Sequence, residues 1–556
     1  MSEFITSEWL MDKTGATCDG GMVVAKQEIA ALAGARVLAE GGNAVDAAVT
    51  TAWVMNVMEP YNCTIAGAGY LVYRAASGES WVVDFSNRAP SRATPEALKS
   101  RTTVAFSGPL AAAVPGTVAG LAAALERFGT ISLARSLAPA IEVAQEGMRL
   151  NWLLTLRLVQ ELPGIRANPN TAEIFLTNGD PGMAHGETML RQPDLARTLR
   201  AIADEGTGAF YEGEIAREII AFVNGQGGIL DDADFAAFQS TIVKPLRVPF
   251  HDYTLLAVPP PSPGVTTAQC LRMLAGYDLA GMGHNSADAL HVMADTFRLA
   301  FADRDAYLGD PEFCDPPVEV LVSDEYVASR RAEIDPRRAL IDVRPGNVGR
   351  LPLGAAAGGG GTTHICAVDA AGNMVSLTQT LIGGLTGLGV AGSTGVVMNC
   401  ALQWFDPQPG APNSVAPGKR PLSNMTPMIV ERAGKPVLAV GAPGSRRITN
   451  AVSQVTLNVL THGMPVQPAI SAPRVDCSLG HILADDRIDS AVIADLRDRG
   501  HRVDVVNEFV NAGGPATGYR GNFSRPAAIH VDDSGLRHGG DYPFVEGMAI
   551  GVVREQ

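Results

Sequence analysis

Residues 354–361 read Gly-Ala-Ala-Ala-Gly-Gly-Gly-Gly, a run that an ordered helix or strand crosses only at a large cost in backbone entropy. It closes a stretch that begins near Pro345, and such a Gly/Ala tract makes a flexible, exposed connection. The text differs on its two sides. Before it, Gln27–Glu40 (stopped by Gly41-Gly42) and Ala44–Met58 (capped by Asn43, ended by Glu59-Pro60) read as helices. Most of Ala112–Leu199 and all of Ala289–Tyr307 are also helical in pattern, with short strands at Tyr70–Tyr73 and Trp81–Phe85. After it, His364–Asp369 and Met374–Thr380 alternate around the turn Ala370–Asn373, which predicts a hairpin. Gly395–Asn399, Met428–Glu431 and Val437–Val440 predict further strands. A helix-rich part thus precedes the tract and a strand-rich part follows it.

Composition narrows the class. With 46% hydrophobic and 18% charged residues, a chain of 556 has ample material for a large core and is not a disordered polyanion. A net charge of −15 argues against a nucleic-acid partner, which needs a basic surface. Seven Cys without a C-x-x-C pair, an odd number, point to free thiols in a reducing compartment. The N-terminal residues lack the basic and apolar regions of a signal peptide, and no uncharged apolar run reaches membrane-spanning length. The expectation is a cytoplasmic protein without membrane contact.

Thr362-Thr363-His364 follows the Gly tract directly. β-Branched residues at a strand entrance are ordinarily structural. If the chain is cut before Thr362, however, one residue supplies both a hydroxyl nucleophile and a free α-amine as its base. The unperturbed amine titrates near pH 7.7–8. Rival motifs fail on context. Gly387-Leu-Gly389-Val-Ala-Gly392 matches a dinucleotide fingerprint but leads into a strand, not a helix. Ala391-Gly-Ser393-Thr-Gly395 is one Gly short of a nucleophile elbow. The ten His form no H-E-x-x-H, and His284 and His291 lie seven apart, so neither metal nor organic cofactor is expected. Gly441–Arg447 is a tight turn whose N–H groups are candidates to face an oxyanion.

Several motifs, in order, resemble those of the γ-glutamyltranspeptidase family of N-terminal-nucleophile hydrolases: Gly20–Ala25, Gly41–Ala48, Val114–Thr117, Pro259–Ser262, Phe301–Arg304, Tyr307–Asp310, Thr362–His364, Gly418–Ser423 and Gly441–Gly444. The resemblance implies an α/β (α+β) chain folded as a four-layer αββα sandwich. It also implies a precursor that cuts itself between Gly361 and Thr362. The products would be a large subunit, 1–361, and a small subunit, 362–556, that remain associated; a higher oligomer is compatible with this. Carried over by position, Thr362 resembles the nucleophile and Thr380 the Thr that orients it. Gly444 and Ser445 fall on the oxyanion pair, where only backbone is used. Ser423 and Asn424 fall on the Ser pair that binds the substrate α-carboxylate.

The departures bear on the acyl group. Ser86 replaces the Arg that grips that carboxylate, with Arg88 two residues on. Ile382 replaces an Asn, and Trp404, preceded by Gln403, replaces the Asp that binds the glutamyl α-amine. Ser cannot replace a bidentate Arg. The reading is therefore an amidohydrolase acting on a small-molecule amide through a threonyl acyl-enzyme, with an acyl group other than standard γ-glutamyl. Arg88 or the Arg446-Arg447 pair remain candidates to meet one carboxylate. Two alternatives stand beside it: a true γ-glutamyltransferase or glutathione hydrolase, in which Arg88 and Gln403 restore the lost contacts, and a non-processed binding relative.

Overall fold

The computed structural model describes residues 12–94, 96, 108–184, 186–348, 361–406, 409–508 and 523–554. The N-terminal residues and most of the expected linker (349–360) lie outside the described residues. Helices mix with antiparallel sheets, of which two have seven strands. One runs Ala16–Cys18, Arg537–Asp541, Ala527–Val531, Lys435–Gly441, Met428–Arg432, Tyr253–Ala257, Leu246–Phe250. The other runs Met548–Gly551, Met22–Ala25, Thr362–Val368, Met374–Thr380, Ala68–Arg74, Ser80–Asp84, Thr241–Val243.

Most helices lie before the tract, and the part after it is strand-rich, with α-helices at Arg447–Leu460, Val466–Ser471 and Ser490–Asp498. Both sheets take strands from both sides of the tract. Thr362–Val368, buried along its whole length, lies between Met22–Ala25 from before the tract and Met374–Thr380 from after it. Strands such as Leu246–Phe250 escaped the sequence reading because Pro249 and the adjacent turn interrupt their pattern. The expected hairpin is present, with Thr362 opposite Thr380 and Val368 opposite Met374.

The sheets touch each other through Met374–Thr380 against Met428–Arg432 and Lys435–Gly441, and through Thr362–Val368 against Ala527–Val531. Glu28–Ala39 and Ala44–Met58 pack on the Thr362-bearing sheet, while Gly264–Leu274, Arg447–Leu460 and Val466–Ser471 pack on the other. Ala44–Met58 is buried at every position. Asn43 caps it, accepting from the Val45 and Asp46 amides at 2.8 and 3.0 Å, and Asp46 returns the bond. Gly34 lets the two helices close up: a Cβ there would lie 2.2 Å from Thr51 Oγ1. All seven Cys are free. Among the described residues no helix is long and apolar enough to cross a membrane.

Candidate active site

Thr362 opens a central strand directly across from Thr380, and their Oγ atoms are 3.1 Å apart. Thr380 Oγ1 also donates to the Gly361 carbonyl. Each hydroxyl has one proton, so the pattern is directional: Thr362 donates to Thr380, which donates to Gly361. Gly361 is sterically required, since a Cβ there would lie 2.1 Å from the Tyr61 carbonyl oxygen. A cavity of about 470 Å³ opens over this point, lined by Gly361, Thr362, Gln403 and Gly444 among others.

Gly444 is held at φ 144°, where a Cβ would lie 2.6 Å from Ser524 Oγ. Ser445 follows at φ 58°, a left-handed conformation uncommon for Ser. The turn is pinned from outside: Ser524 Oγ and the Arg525 amide both donate to the Pro443 carbonyl, at 2.5 and 3.0 Å. It leads into the helix Arg447–Leu460, whose positive N-terminal end favours negative charge at this place.

Other residues singled out in the sequence sit elsewhere. Ser86 Oγ is bound to Asp84 Oδ1 (2.6 Å) and the Tyr70 hydroxyl (2.7 Å). Arg88 forms a forked pair with Glu312, 2.9 and 3.0 Å. Arg304 donates to the Ser423 carbonyl and to Asn424 Oδ1, both at 2.9 Å. Arg446 pairs with Asp305 at 2.7 Å. Trp404 is buried, its carbonyl accepting from Asn413 at 2.6 Å. Ile382 is buried at φ 60°, an outlier for a β-branched residue. Among the described residues, the cavity lining includes Gln403 but none of Ser86, Arg88, Ile382, Trp404, Ser423 or Asn424. His364 is not a base. Its ring is buried against Gly441, where a Cβ would fall 2.2 Å from it, and burial pushes its pKa down to about 3.

The sequence reading missed a buried ion pair beside Thr362. Lys26 Nζ is 2.9 Å from Glu59 Oε2 and 3.4 Å from the Thr362 carbonyl oxygen. Gln27 and Asn62 each donate to Glu59 at 3.0 Å. Burial lowers the Lys26 pKa; burial alone would raise that of Glu59, but Lys26 and the two amides outweigh it and hold the carboxyl below its usual range. The available signal was a charge closing each apolar run, Lys26 after Met22–Ala25 and Glu59 after Ala44–Met58. Arg157 and Arg525, which also line the cavity, carried no motif.

One group of metal-type side chains gathers elsewhere: ligand atoms of His291, Asp295 and His501 lie within 4.8 Å of one another. Their bonding is already used. His291 Nε2 is 2.7 Å from the Asp335 carbonyl, His291 Nδ1 is 2.7 Å from His501 Nε2, and Asp295 accepts from Arg298 and the Leu340 amide. The trio reads as a hydrogen-bonded joint between residues from either side of the tract.

The fold matches those of N-terminal-nucleophile hydrolases: it superposes on a cephalosporin acylase from Bacillus halodurans with a TM-score of 0.88, at 27% identity, covering 100% of both chains. The family Gamma-glutamyltranspeptidase matches residues 30–525. The chain belongs to the gamma-glutamyltranspeptidase family. Relatives include the acylase ACY 1 proenzyme of Pseudomonas sp. (strain SE83), 36% identical over 513 residues and 89% of each chain. The glutathione hydrolase proenzyme of Escherichia coli (strain K12) is 35% identical over 479 residues, 82% of this chain and 80% of its own.

Proposed function

We propose that the chain is a self-processing amidohydrolase whose nucleophile is Thr362, folded as a four-layer αββα sandwich from two pieces, 1–361 and 362–556. In the precursor, Thr380 polarises the Gly361 carbonyl and accepts the Thr362 hydroxyl proton's hydrogen bond. Attack of Thr362 Oγ on that carbonyl forms an ester and breaks the Gly361–Thr362 peptide bond, the hydroxyl proton passing to the departing Thr362 nitrogen. Water then hydrolyses the ester and leaves the free α-amine. In the mature enzyme that amine takes the hydroxyl proton, Oγ attacks the substrate amide, and the protonated amine product leaves. The Gly444 and Ser445 N–H groups receive the oxyanion; one such donor is worth roughly 2.7–4 kcal/mol of barrier. Water resolves the acyl-enzyme.

The observation that carries this reading is the Thr362–Thr380–Gly361 hydrogen-bond chain, set at the floor of a cavity that Gly444 also lines. Thr362→Ala should leave a single uncut chain with no activity. Two fragments from purified Thr362→Ala protein would overturn the proposal. The Ser86 hydroxyl, tied to Asp84 and Tyr70 at the position where the resemblance places a carboxylate-binding Arg, supports an acyl group other than γ-glutamyl. True γ-glutamyl hydrolysis is the second reading, favoured by the 35% identity to a glutathione hydrolase proenzyme and by Gln403 in the cavity lining. Release of p-nitroaniline from its γ-glutamyl amide decides between them. A non-processed binding relative would run as one intact chain on denaturing electrophoresis.

A further inference from the structure

We infer that Lys26 is a positioning residue for Thr362. Its ammonium, anchored by Glu59, holds the Thr362 carbonyl and stands as a fixed positive charge beside the α-amine that self-cleavage frees. That charge keeps the amine unprotonated and able to take the hydroxyl proton. The inference rests on the amidohydrolase reading and adds a control on its base. Lys26 follows the strand Met22–Ala25, whose antiparallel register, Ala25 opposite Ile365, carries it towards the Thr362 end of the neighbouring strand. An ammonium has three donors. One goes to Glu59 Oε2 at 2.9 Å and one to the Thr362 carbonyl at 3.4 Å. Glu59 also accepts from Gln27, Asn62 and the Tyr61 hydroxyl, at 3.0, 3.0 and 3.4 Å, so the cation has a fixed seat.

The anchor belongs to a turn that also borders the Gly361–Thr362 bond. The Asn62 and Cys63 amides close this turn on the Glu59 carbonyl at 2.7 and 2.9 Å. The Asn62 carbonyl accepts from the Leu381 amide at 2.8 Å, next to Thr380, and the Tyr61 carbonyl leaves no room for a Cβ on Gly361. One turn thus fixes Gly361, the chain after Thr380 and, through Glu59, the Lys26 cation. Thr362 is 3% exposed and Lys26 1%, so water screens little between them. The nitrogen and carbonyl oxygen of one residue lie within about 4 Å by covalent geometry, which puts the ammonium within about 7 Å of the amine. At that range a like charge disfavours the protonated amine. Among the described residues Glu59 makes no hydrogen bond to Thr362, so it offsets only part of the effect. The other charges nearby form a constant background. Arg157, Glu161 and Arg525 line the same cavity, and Asp541, paired with Lys13 at 3.2 Å, comes close to Lys26 at Gly547. Burial keeps Tyr61, Cys63 and His364 neutral.

The test follows acetylation of Thr362 by p-nitrophenyl acetate against pH, by intact mass, in the processed full-length protein. This activated ester makes no demand on acyl recognition. The parent's rate should fall in acid with a midpoint below the ordinary amine range of about 7.7–8. Lys26→Met with Glu59→Leu removes both charges without leaving one unpaired, and should move that midpoint up by about half a unit to one unit. Lys26→Arg keeps the cation and should titrate within about 0.3 unit of the parent. A pair that serves packing alone would not move the midpoint. A parent midpoint at or above about 7.7, or a double variant that titrates with the parent, overturns the inference and leaves the amidohydrolase reading standing. A folded double variant that stays uncut while Lys26→Arg is cut supports it, because the cation is then needed at Thr362 before any substrate enters. If Lys26→Arg is also folded and uncut, packing and not charge is at work, and the inference falls. If the parent's Thr362 takes no acetyl group and its chain is never cut, the amidohydrolase reading itself fails.

Discussion

The Lys26–Glu59 pair offers the sharpest test of how Thr362 is held. Glu59→Gln removes the carboxylate bonded to Lys26 and sets an amide N–H₂ among four donors: Lys26, Gln27, Asn62 and the Tyr61 hydroxyl. Both partners are essentially without solvent exposure, at 1% and 0%, so water cannot compensate. Breaking such a pair from one side costs about 3–5 kcal/mol. An independent ceiling comes from neutralisation: shedding the proton of a lysine with an ordinary pKa at pH 7 costs about 4.6 kcal/mol. With roughly 2.1 cal/mol/K of unfolding entropy per residue, 556 residues give about 1.2 kcal/mol per degree, so the expected fall in Tm is about 3–4 °C. Replacing both partners, Lys26→Met with Glu59→Leu, should recover at least half of it, because no unpaired buried charge remains.

The pH dependence has a definite sign. The Glu59 pKa is lower in the folded chain than its ordinary value, so its contribution is complete above about pH 4.3 and is lost as pH falls through the folded value. Scanning calorimetry at pH 6 and 8 should therefore show the same gap between parent and Glu59→Gln, with narrowing only in acid. The same samples on denaturing gels report slower self-cleavage, since Lys26 also reaches the Thr362 carbonyl. A Tm within about 1 °C of the parent, or a double variant no more stable than Glu59→Gln, refutes the reasoning.

Three further outcomes are expected. Gly444→Ala puts a methyl 2.6 Å from Ser524 Oγ at a φ of 144°, and should lower kcat about 100-fold; an unchanged kcat removes the Gly444 N–H from the oxyanion role. His364, with burial pushing its pKa down to about 3, binds fewer protons folded than unfolded, so stability is full above about pH 6.5 and falls by about 1.4 kcal/mol per pH unit below it. A Tm that stays flat from pH 7 to 4.5 would contradict that. If the Thr362 α-amine is the base, kcat/KM declines below about pH 7 as it protonates, and a flat rate from pH 5 to 9 excludes it.

Local rules made much of the chain legible. Asn43 and Pro60 bracket a real helix, and alternation on both sides of Ala370–Asn373 gave the hairpin that sets Thr362 against Thr380. What periodicity does not carry is which strands become neighbours. Met22–Ala25 and Thr362–Val368 are more than 330 residues apart and pair side by side, which is why Lys26 was unreadable as a partner of Thr362. The losses at Ser86, Ile382 and Trp404 were visible one by one. The cavity that stands in their place was not, because helices at 152–167 and the strand approach at 523–525 enclose it only in three dimensions.

The places where local expectation fails converge on one neighbourhood. Two buried charges lie under Thr362, Ile382 adopts φ 60° two residues after Thr380, and Ser445 adopts φ 58° next to Gly444. Each is unfavourable alone: a left-handed β-branched residue costs on the order of 1–3 kcal/mol, and a buried pair rarely repays its desolvation. A chain selected only for stability would shed them. Ile382 sharpens the point, because the Asn that family resemblance places there tolerates the left-handed region better. An isoleucine held at φ 60° shows that the turn after Thr380 is set by its surroundings and not by the preference of that residue. Ile382→Asn should therefore raise stability by relieving strain and leave γ-glutamyl hydrolysis unchanged. A gain of that hydrolysis would mean that the side chain at 382 takes part in acyl choice.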